Sequence, residues 1–263
     1  MHPRTMPAVV IAVVNNKGGV GKTTTSVNLS AALAAQQRKV LLVDLDCQAS
    51  ASRWCGVARD ELDPSSANCL LGRYPIDQAI RATPTAHLDL VTGSLALASA
   101  DVALCDVPGR ETTLKTVLQP IRRRYHAIVL DCPPSFSLLC VNALLAADAL
   151  IVPVTPQHLA LEGLASLFGA LDEVRARMRT RARILGILLS MVNGNGGVTT
   201  LRKRVRKAFG SQVFLTEIHE SPSLARAPEV AKTIFAFAPR SKPAIAFRRL
   251  ADEVLDRLRT LHH

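Results

Sequence analysis

Aromatic residues are scarce. One Trp, two Tyr and seven Phe make up 4% of the 263 residues. A core must therefore be assembled from Ala, Val, Leu and Ile, within a hydrophobic content of 48%. With only 20% charged residues beside it, wholesale disorder is excluded. No apolar run approaches the ~18 residues that a membrane span needs. The cysteines Cys47, Cys55, Cys69, Cys105, Cys132 and Cys140 form no CxxC pair and no Cys/His cluster with zinc spacing. In a chain this long they read as reduced thiols of a cytoplasmic protein, not as a disulfide framework. His2 and Arg4 ahead of Ala8–Val14 mimic an export signal. A polar, Gly-rich loop follows at once, with no clear small-residue cleavage pattern, so the stretch reads as a buried first strand. Internal repeats and low-complexity linkers are also lacking. At roughly 150 residues per domain, one domain over residues 1–263 is the simplest reading.

Acidic residues are the scarcer sign, and the net charge is +11. The excess is uneven. Residues 1–150 carry 14 Lys and Arg against 12 Asp and Glu, whereas residues 151–263 carry 18 against 9. A positive half suggests either a polyanionic partner or a basic surface that keeps the protein soluble.

Near-continuous apolar runs alternate with helical patterns. Ala8–Val14, Lys39–Leu45, Leu88–Thr92, Ala127–Asp131, Leu150–Thr155 and Ile184–Val192 read as strands of a sheet covered on both faces. Val213–Ile218 looks like one more. Helices are expected over Lys22–Gln36, Glu111–Arg124, Leu138–Ala147, Leu159–Met178, Thr199–Phe209 and Pro243–Leu261. Asp60–Pro84 is weakly patterned and suits short helices; Gly194–Gly197 reads as a flexible loop. The alternation predicts an α/β fold, a doubly wound, mostly parallel sheet with helices on both faces.

Asn15–Thr24 reads N-N-K-G-G-V-G-K-T-T, after a strand and at the start of a helix, the context of a phosphate-binding P-loop. Gly18, Gly19 and Gly21 let the backbone amides, those of Val20 and Thr24 among them, turn toward phosphate oxygens. The helix directs its N-terminus at the same anion. Lys22 adds charge near the β- and γ-phosphates of ATP, and the Thr23 hydroxyl can ligate Mg²⁺. The general pattern wants Gly where Asn16 stands, and a second lysine, Lys17, precedes the glycines.

That departure resembles the deviant Walker A of the ParA/MinD group of dimeric P-loop ATPases. The resemblance implies that Lys17 reaches across a nucleotide-sandwich homodimer to the partner's phosphates, acting as an arginine finger does. V-L-L-V-D-L-D-C-Q-A-S (Val40–Ser50) and I-V-L-D-C-P-P-S (Ile128–Ser135) extend it, as do V-N-A-L-L-A-A-D, I-V-P-V and A-L-E-G-L within Val141–Leu164. It covers the chain from about Ala8 to the final helix and points to a ParA/Soj-type ATPase. Asp44 sits at a strand's C-terminal end, where open α/β sheets bind ligands. The family role there is to orient the attacking water, with Asp46 and Gln48 shaping the switch; a turn-capping Asp46 is an equal alternative. Asp131 ends the Walker B strand and would hold Mg²⁺ through a water. Pro133 and Pro134 stiffen its loop. Hydrolysis is expected to be slow and to depend on positioning.

Asn193 is the candidate for a contact to the adenine base, or else a turn former beside Gly194. Pro222, in a segment resembling the family's second base-flanking loop, is a candidate to pack on the ring. DNA-binding relatives often carry arginines at the positions aligned with Asn195 and Ser223, and an acid where Arg226 stands; all three differ here. Basic residues lie nearby: Arg202, Lys203, Arg206 and Lys207 on one helix, Arg248 and Arg249 on another, together with Arg226. Non-specific DNA binding needs only such charges near phosphates. The run Arg175, Arg177, Arg179, Arg181, Arg183 is accounted for by a helix C-terminus.

The resemblance thus implies a partitioning or positioning ATPase with a cargo-bound activator, ParB-like or another adaptor, located in the cytoplasm on the nucleoid. The cargo would be a chromosome or plasmid locus or a protein assembly. A MinD-like regulator on a membrane is the alternative, with Pro243–Leu261 lying on lipid. Asp252, Glu253 and Asp256 weaken it. A nitrogenase-iron-protein-like reductase lacks its paired cluster cysteines, and a tyrosine-kinase reading fails with Tyr74 and Tyr125 as the only tyrosines.

Overall fold

A computed structural model describes residues 6–156, 160–178, 180–193 and 196–261. Its centre is a seven-stranded sheet. The strands are β1 (Val9–Val13), β2 (Val40–Asp44), β3 (Arg81–Ala82), β4 (Leu88–Val91), β5 (Ala127–Asp131), β6 (Ala149–Val154) and β7 (Arg183–Leu189). Their order is β3-β4-β2-β5-β1-β6-β7. Every pairing is parallel except β3 with β4. The expected doubly wound α/β fold is therefore the one observed.

Five helices of nine or more residues are found among the described residues: α1 (Lys22–Ala35), α2 (Leu138–Ala146), α3 (Ala160–Met178), α4 (Gly196–Phe209) and α5 (Lys242–Leu261). Each strand splits its side chains between two cores, because neighbours along a strand point to opposite faces. Val10, Ala12, Leu41 and Val43 enter the core shared with α2 and α3. Ile11, Val13, Leu42 and Val129 enter the core shared with α1 and α5. The apolar stripe of α5 is spent there. Phe247, Leu250, Ala251 and Val254 are fully buried, each large side chain contributing about 1.5–3 kcal/mol.

Three local expectations are corrected. Glu111–Arg124 is not one helix: 3₁₀ turns at Arg110–Thr112 and Gln119–Arg124 flank a short helix, Thr113–Leu118. Pro120, without an N–H, cannot continue the α-helical ladder. Val213–Ile218 forms only an isolated bridge from Val213 to Ile187, with single bonds onto β7. The helix α4 begins at Gly196, inside the expected loop. Asn195, Gly194 and Arg179 lie outside the described residues.

Candidate active site at the C-terminal edge of the sheet

The phosphate loop joins β1 to α1. Gly19 and Gly21 take φ of 71° and 87°, a left-handed backbone that β-carbons resist. Two anchors hold the loop from outside. Asn15 Nδ2 donates to the Pro153 carbonyl at 2.7 Å, and Ser190 Oγ to the Val20 carbonyl at 2.6 Å. The two lysines differ in environment. Lys22 is 6% exposed, and its Nζ donates to the Lys17 carbonyl at 2.9 Å. Burial lowers its pKa, opposed by the nearby Asp131 carboxylate. Lys17 lies exposed at the lip, its backbone N–H donating to Asn15 Oδ1 at 2.9 Å.

Asp44 and Asp131 are paired neighbours across the β2–β5 ladder, and both are fully buried. Asp131 accepts from Thr23 Oγ1 at 2.9 Å and from Ser26 Oγ at 2.8 Å. Asp44 accepts from Ser52 through Oγ at 2.7 Å and through N at 2.9 Å, and from the Asp46 amide at 3.1 Å. Burial pushes the Asp44 carboxyl up to about 6. Burial, then the like charge of Asp44, pushes Asp131 up to about 8. Two desolvated carboxylates stand side by side, and Lys22 supplies positive charge near Asp131. A divalent cation would offset their charge further, and the donor set fits magnesium. Mg²⁺ is held by one or two carboxylates plus phosphates and waters rather than by an all-protein cage. Among the described residues there is no cluster of three or more His, Cys, Asp or Glu suited to a metal. Thr23 and Asp131 are the residues that could hold it.

Asp46 accepts from the Gln48 amide at 2.9 Å, a turn-capping bond. Cys132 is buried, and its thiol is raised well above the ordinary range by burial and by Cys140, the state of a packing thiol.

Beside the loop opens a cavity of about 510 Å³ lined by Gly21, Thr24, Ser190, Met191, His219 and Pro222 among others. Its mostly apolar wall, next to the phosphate loop, suits a flat base. Pro222 lies in this wall. Asn193 is absent from the lining, and its Nδ2 donates to Glu220 Oε1 at 3.5 Å.

The basic candidates divide. Arg202 and Arg206 turn inward from α4 to Glu217, at 2.6 and 2.8 Å, and Glu217 is 8% exposed. Lys203 and Lys207, on the other face, are exposed. Arg248 donates to the Pro239 carbonyl at 3.0 Å and lies over the Phe235 ring. Arg249 lines a groove with Arg202, Arg206, His219 and Lys242. Arg226 is exposed at the end of the helix Pro222–Arg226, whose Pro222, Leu224 and Ala225 line that cavity.

Several site-shaping residues escape sequence reasoning. Ser52, Ser190 and Gly93 arrive from distant segments. A β-carbon on Gly93 would stand 2.9 Å from the Asp44 carboxyl and 2.6 Å from the Asp46 carbonyl oxygen. Only Ser26 left a signal, lying three residues after Thr23 on the same helix face.

Comparison with known proteins agrees with this arrangement. A family model described as "AAA domain" matches residues 8–184. The chain is 38% identical over 247 residues to "Sporulation initiation inhibitor protein Soj" of Bacillus subtilis, covering 93% of this chain and 97% of that one. It is 42% identical over 252 residues to "Chromosome-partitioning ATPase Soj" of Thermus thermophilus, covering 94% and 96%. Among solved structures, a Mycobacterium smegmatis protein titled cobyrinic acid a,c-diamide synthase, with bound ADP and magnesium, superposes with a TM-score of 0.84. It is 30% identical, with 96% of each chain covered. Over nearly its whole length, and with the deviant two-lysine loop at the head of the sheet, the chain belongs to the ParA/Soj family of P-loop ATPases.

Proposed function

We propose that the chain is a partitioning or positioning ATPase. It binds ATP with magnesium, closes into a nucleotide-sandwich homodimer, and holds DNA non-specifically in that state. A cargo-bound activator, ParB-like or another adaptor, then stimulates hydrolysis and release. The cargo is a chromosome or plasmid locus or a protein assembly, and the protein works in the cytoplasm on the nucleoid.

The observation that carries this reading is the opposite placement of the two loop lysines. Lys22 is buried under the loop, while Lys17 is exposed at its lip. One lysine serves the phosphates of its own protomer. The exposed one suits the phosphates of a facing protomer, where it offsets charge that develops during transfer.

In the reaction, Asp44 orients water toward the γ-phosphorus. The oxygen–phosphorus bond forms as the bond to the β,γ-bridging oxygen breaks. ADP leaves with that electron pair, and the water's proton ends on phosphate. Magnesium supplies neutralisation of the β- and γ-phosphate oxygens. Ser52 and the Asp46 amide hold Asp44 at the strand end, while Thr23 and Asp131 stand where the metal would bind. The DNA reading rests on the exposed Lys203 and Lys207, and on the groove containing Arg202, Arg206 and Arg249. The ion pairs to Glu217 reduce the charge this region offers, so DNA affinity is expected to be modest. A membrane-lying α5 is disfavoured because Phe247, Leu250, Ala251 and Val254 of its apolar stripe are buried in the core. Among the described residues no helix is long and apolar enough to cross a membrane.

Sedimentation with ATP and magnesium tests the reading. Asp44→Ala is expected to accumulate as an ATP-bound dimer with turnover reduced by about 10²-fold or more, within the range for loss of one positioned group. Lys17→Ala is expected to bind ATP yet stay monomeric. A Lys17→Ala protein that dimerises and hydrolyses normally would overturn the sandwich.

A further inference from the structure

The basic groove between α4 and α5 contains an acid that a DNA-binding surface does not call for. The groove has a volume of about 590 Å³. Arg202 and Arg206 of α4, Lys242 and Arg249 of α5, and His219 line it. Glu217 is the one acidic residue of the lining, and its side chain is 8% exposed.

This carboxylate is held on both oxygens. Arg202 grips it as a fork, with Nε donating to Oε1 at 3.2 Å and Nη2 to Oε2 at 2.6 Å. Arg206 Nη2 donates to Oε1 at 2.8 Å. His219 Nε2 stands 3.7 Å from Oε2. The acid belongs to neither helix. It lies on the segment that failed to become a full strand, joined to its neighbours by two isolated bridges, Ile187 with Val213 and Val192 with His219. On the α5 side, Glu253 accepts from the Leu215 and Thr216 amides at 2.7 and 3.0 Å.

A carboxylate and a backbone phosphate ask the same thing of arginine, a pair of N–H donors in one plane. The donors that Glu217 holds are therefore the ones a phosphate in this groove would use. For Arg202 and Arg206 to reach DNA they must leave Glu217. A nearly enclosed carboxylate stripped of its partners is strongly unfavourable, so DNA contact here starts from a deficit.

We propose that Glu217 is an internal competitor for the DNA phosphate, and that it sets the threshold separating one protomer from two. The inference rests on the ATP-gated, dimeric DNA reading above and supplies its off-state. A single protomer offers DNA one groove with two of its guanidiniums already occupied. An ATP-bound dimer carries two such grooves on one body, and the second engages at high effective concentration once the first is bound. The exchange of carboxylate for phosphate fails singly and succeeds as a pair. Neutralising Glu217 removes the threshold, so one protomer should then hold DNA without ATP.

The test is fluorescence anisotropy on a random-sequence duplex, with the full chain in ADP–Mg²⁺ and in ATP–Mg²⁺, across a salt series. Wild type is expected to bind in ATP and weakly or not at all in ADP. In ADP, Glu217→Gln should bind about tenfold or more tighter than wild type, with a log–log salt slope steeper by about 2, at roughly 0.9 per phosphate contact. Adding Arg202→Ala and Arg206→Ala to Glu217→Gln should abolish that gain. Glu61→Gln makes the same charge change at an exposed acid outside the groove and should leave duplex affinity as in wild type. Equal melting temperature and ATP affinity control for folding. If the Gln variant does not fold, Glu217→Asp, which draws the carboxylate back by one methylene, should give a smaller gain of the same sign. Glu217→Gln that matches wild type in ADP, while wild type binds duplex in ATP, would overturn the proposal and leave the DNA reading standing. A gain that survives loss of both arginines, or that Glu61→Gln reproduces, would reduce it to net charge and overturn it as well. Absence of duplex binding by wild type and Glu217→Gln in both nucleotides would bring down the DNA reading itself, and the proposal with it.

Discussion

The two edges of one sheet follow opposite designs. At the C-terminal edge the charge is negative and buried: Asp44 and Asp131 sit side by side, fully enclosed. At the N-terminal edge it is positive and open, with Arg123, Arg124, Arg181 and Arg183 exposed. Burial changes what a charge does. Desolvation moves the pKa values of the acid pair and readies it for a cation that neutralises it. The arginines lie in water, where any one charge pairing contributes little. The first edge therefore suits chemistry. Point substitutions should be severe at the first and graded at the second.

The largest effect expected is from Lys22→Ala. It removes the buried cation near Asp131 and the bond to the Lys17 carbonyl. Nucleotide binding measured by calorimetry should fall below detection. Retained ATP affinity in Lys22→Ala would break the assignment of the phosphate loop.

Gly93→Ala comes next. Its β-carbon would meet the Asp44 carboxyl at 2.9 Å and a backbone oxygen at 2.6 Å. Overpacking of this kind costs about 1–3 kcal/mol, which lowers Tm by several degrees in a chain of this size. Hydrolysis should fall by more than nucleotide affinity does, because Asp44 moves and the phosphate loop does not. A melting curve and a turnover assay together check this, and unchanged turnover would remove Asp44 from the water-positioning role.

The smallest effect concerns pH. The Asp44 and Asp131 carboxyls are raised in the folded protein, to about 6 and about 8. Without nucleotide, the stability they contribute is present at low pH and lost as pH rises through those values. Magnesium favours the ionised forms, so loading with ATP–Mg²⁺ should release protons near pH 7 and tighten between about pH 6 and pH 8. Calorimetry in buffers of different ionisation enthalpy would show it. Proton uptake, or an affinity flat with pH, would dissolve the contrast between the two edges.

Much of this was legible in the chain itself. The runs of Val, Ile and Leu placed six of the seven strands to within three residues at either end, because strands covered on both faces must be apolar throughout. The edge strand β3, two residues long, carries no such pattern. Val213–Ile218 has the composition of a strand yet makes only a bridge and scattered bonds to β7, since pairing depends on a partner that composition does not describe. The phosphate loop was readable because its chemistry needs contiguous residues. Ser52, Ser190 and Gly93 were not, because each acts across the fold.

The same division holds for charge. Counting residues located the positive excess in the second half, and the helix carrying Arg202 to Lys207 was its natural centre. Folding turned Arg202 and Arg206 inward to Glu217. It also joined Arg122–Arg124 of the first half to Arg181 and Arg183 of the second. By itself the sequence determined the α/β alternation, the two-lysine loop and the acids at two strand ends, all of which are local in the chain. Only the tertiary structure decided which charges are buried, paired or aligned. Parallel strands bring residues a hundred positions apart to a common edge, and exposure there depends on what packs above them.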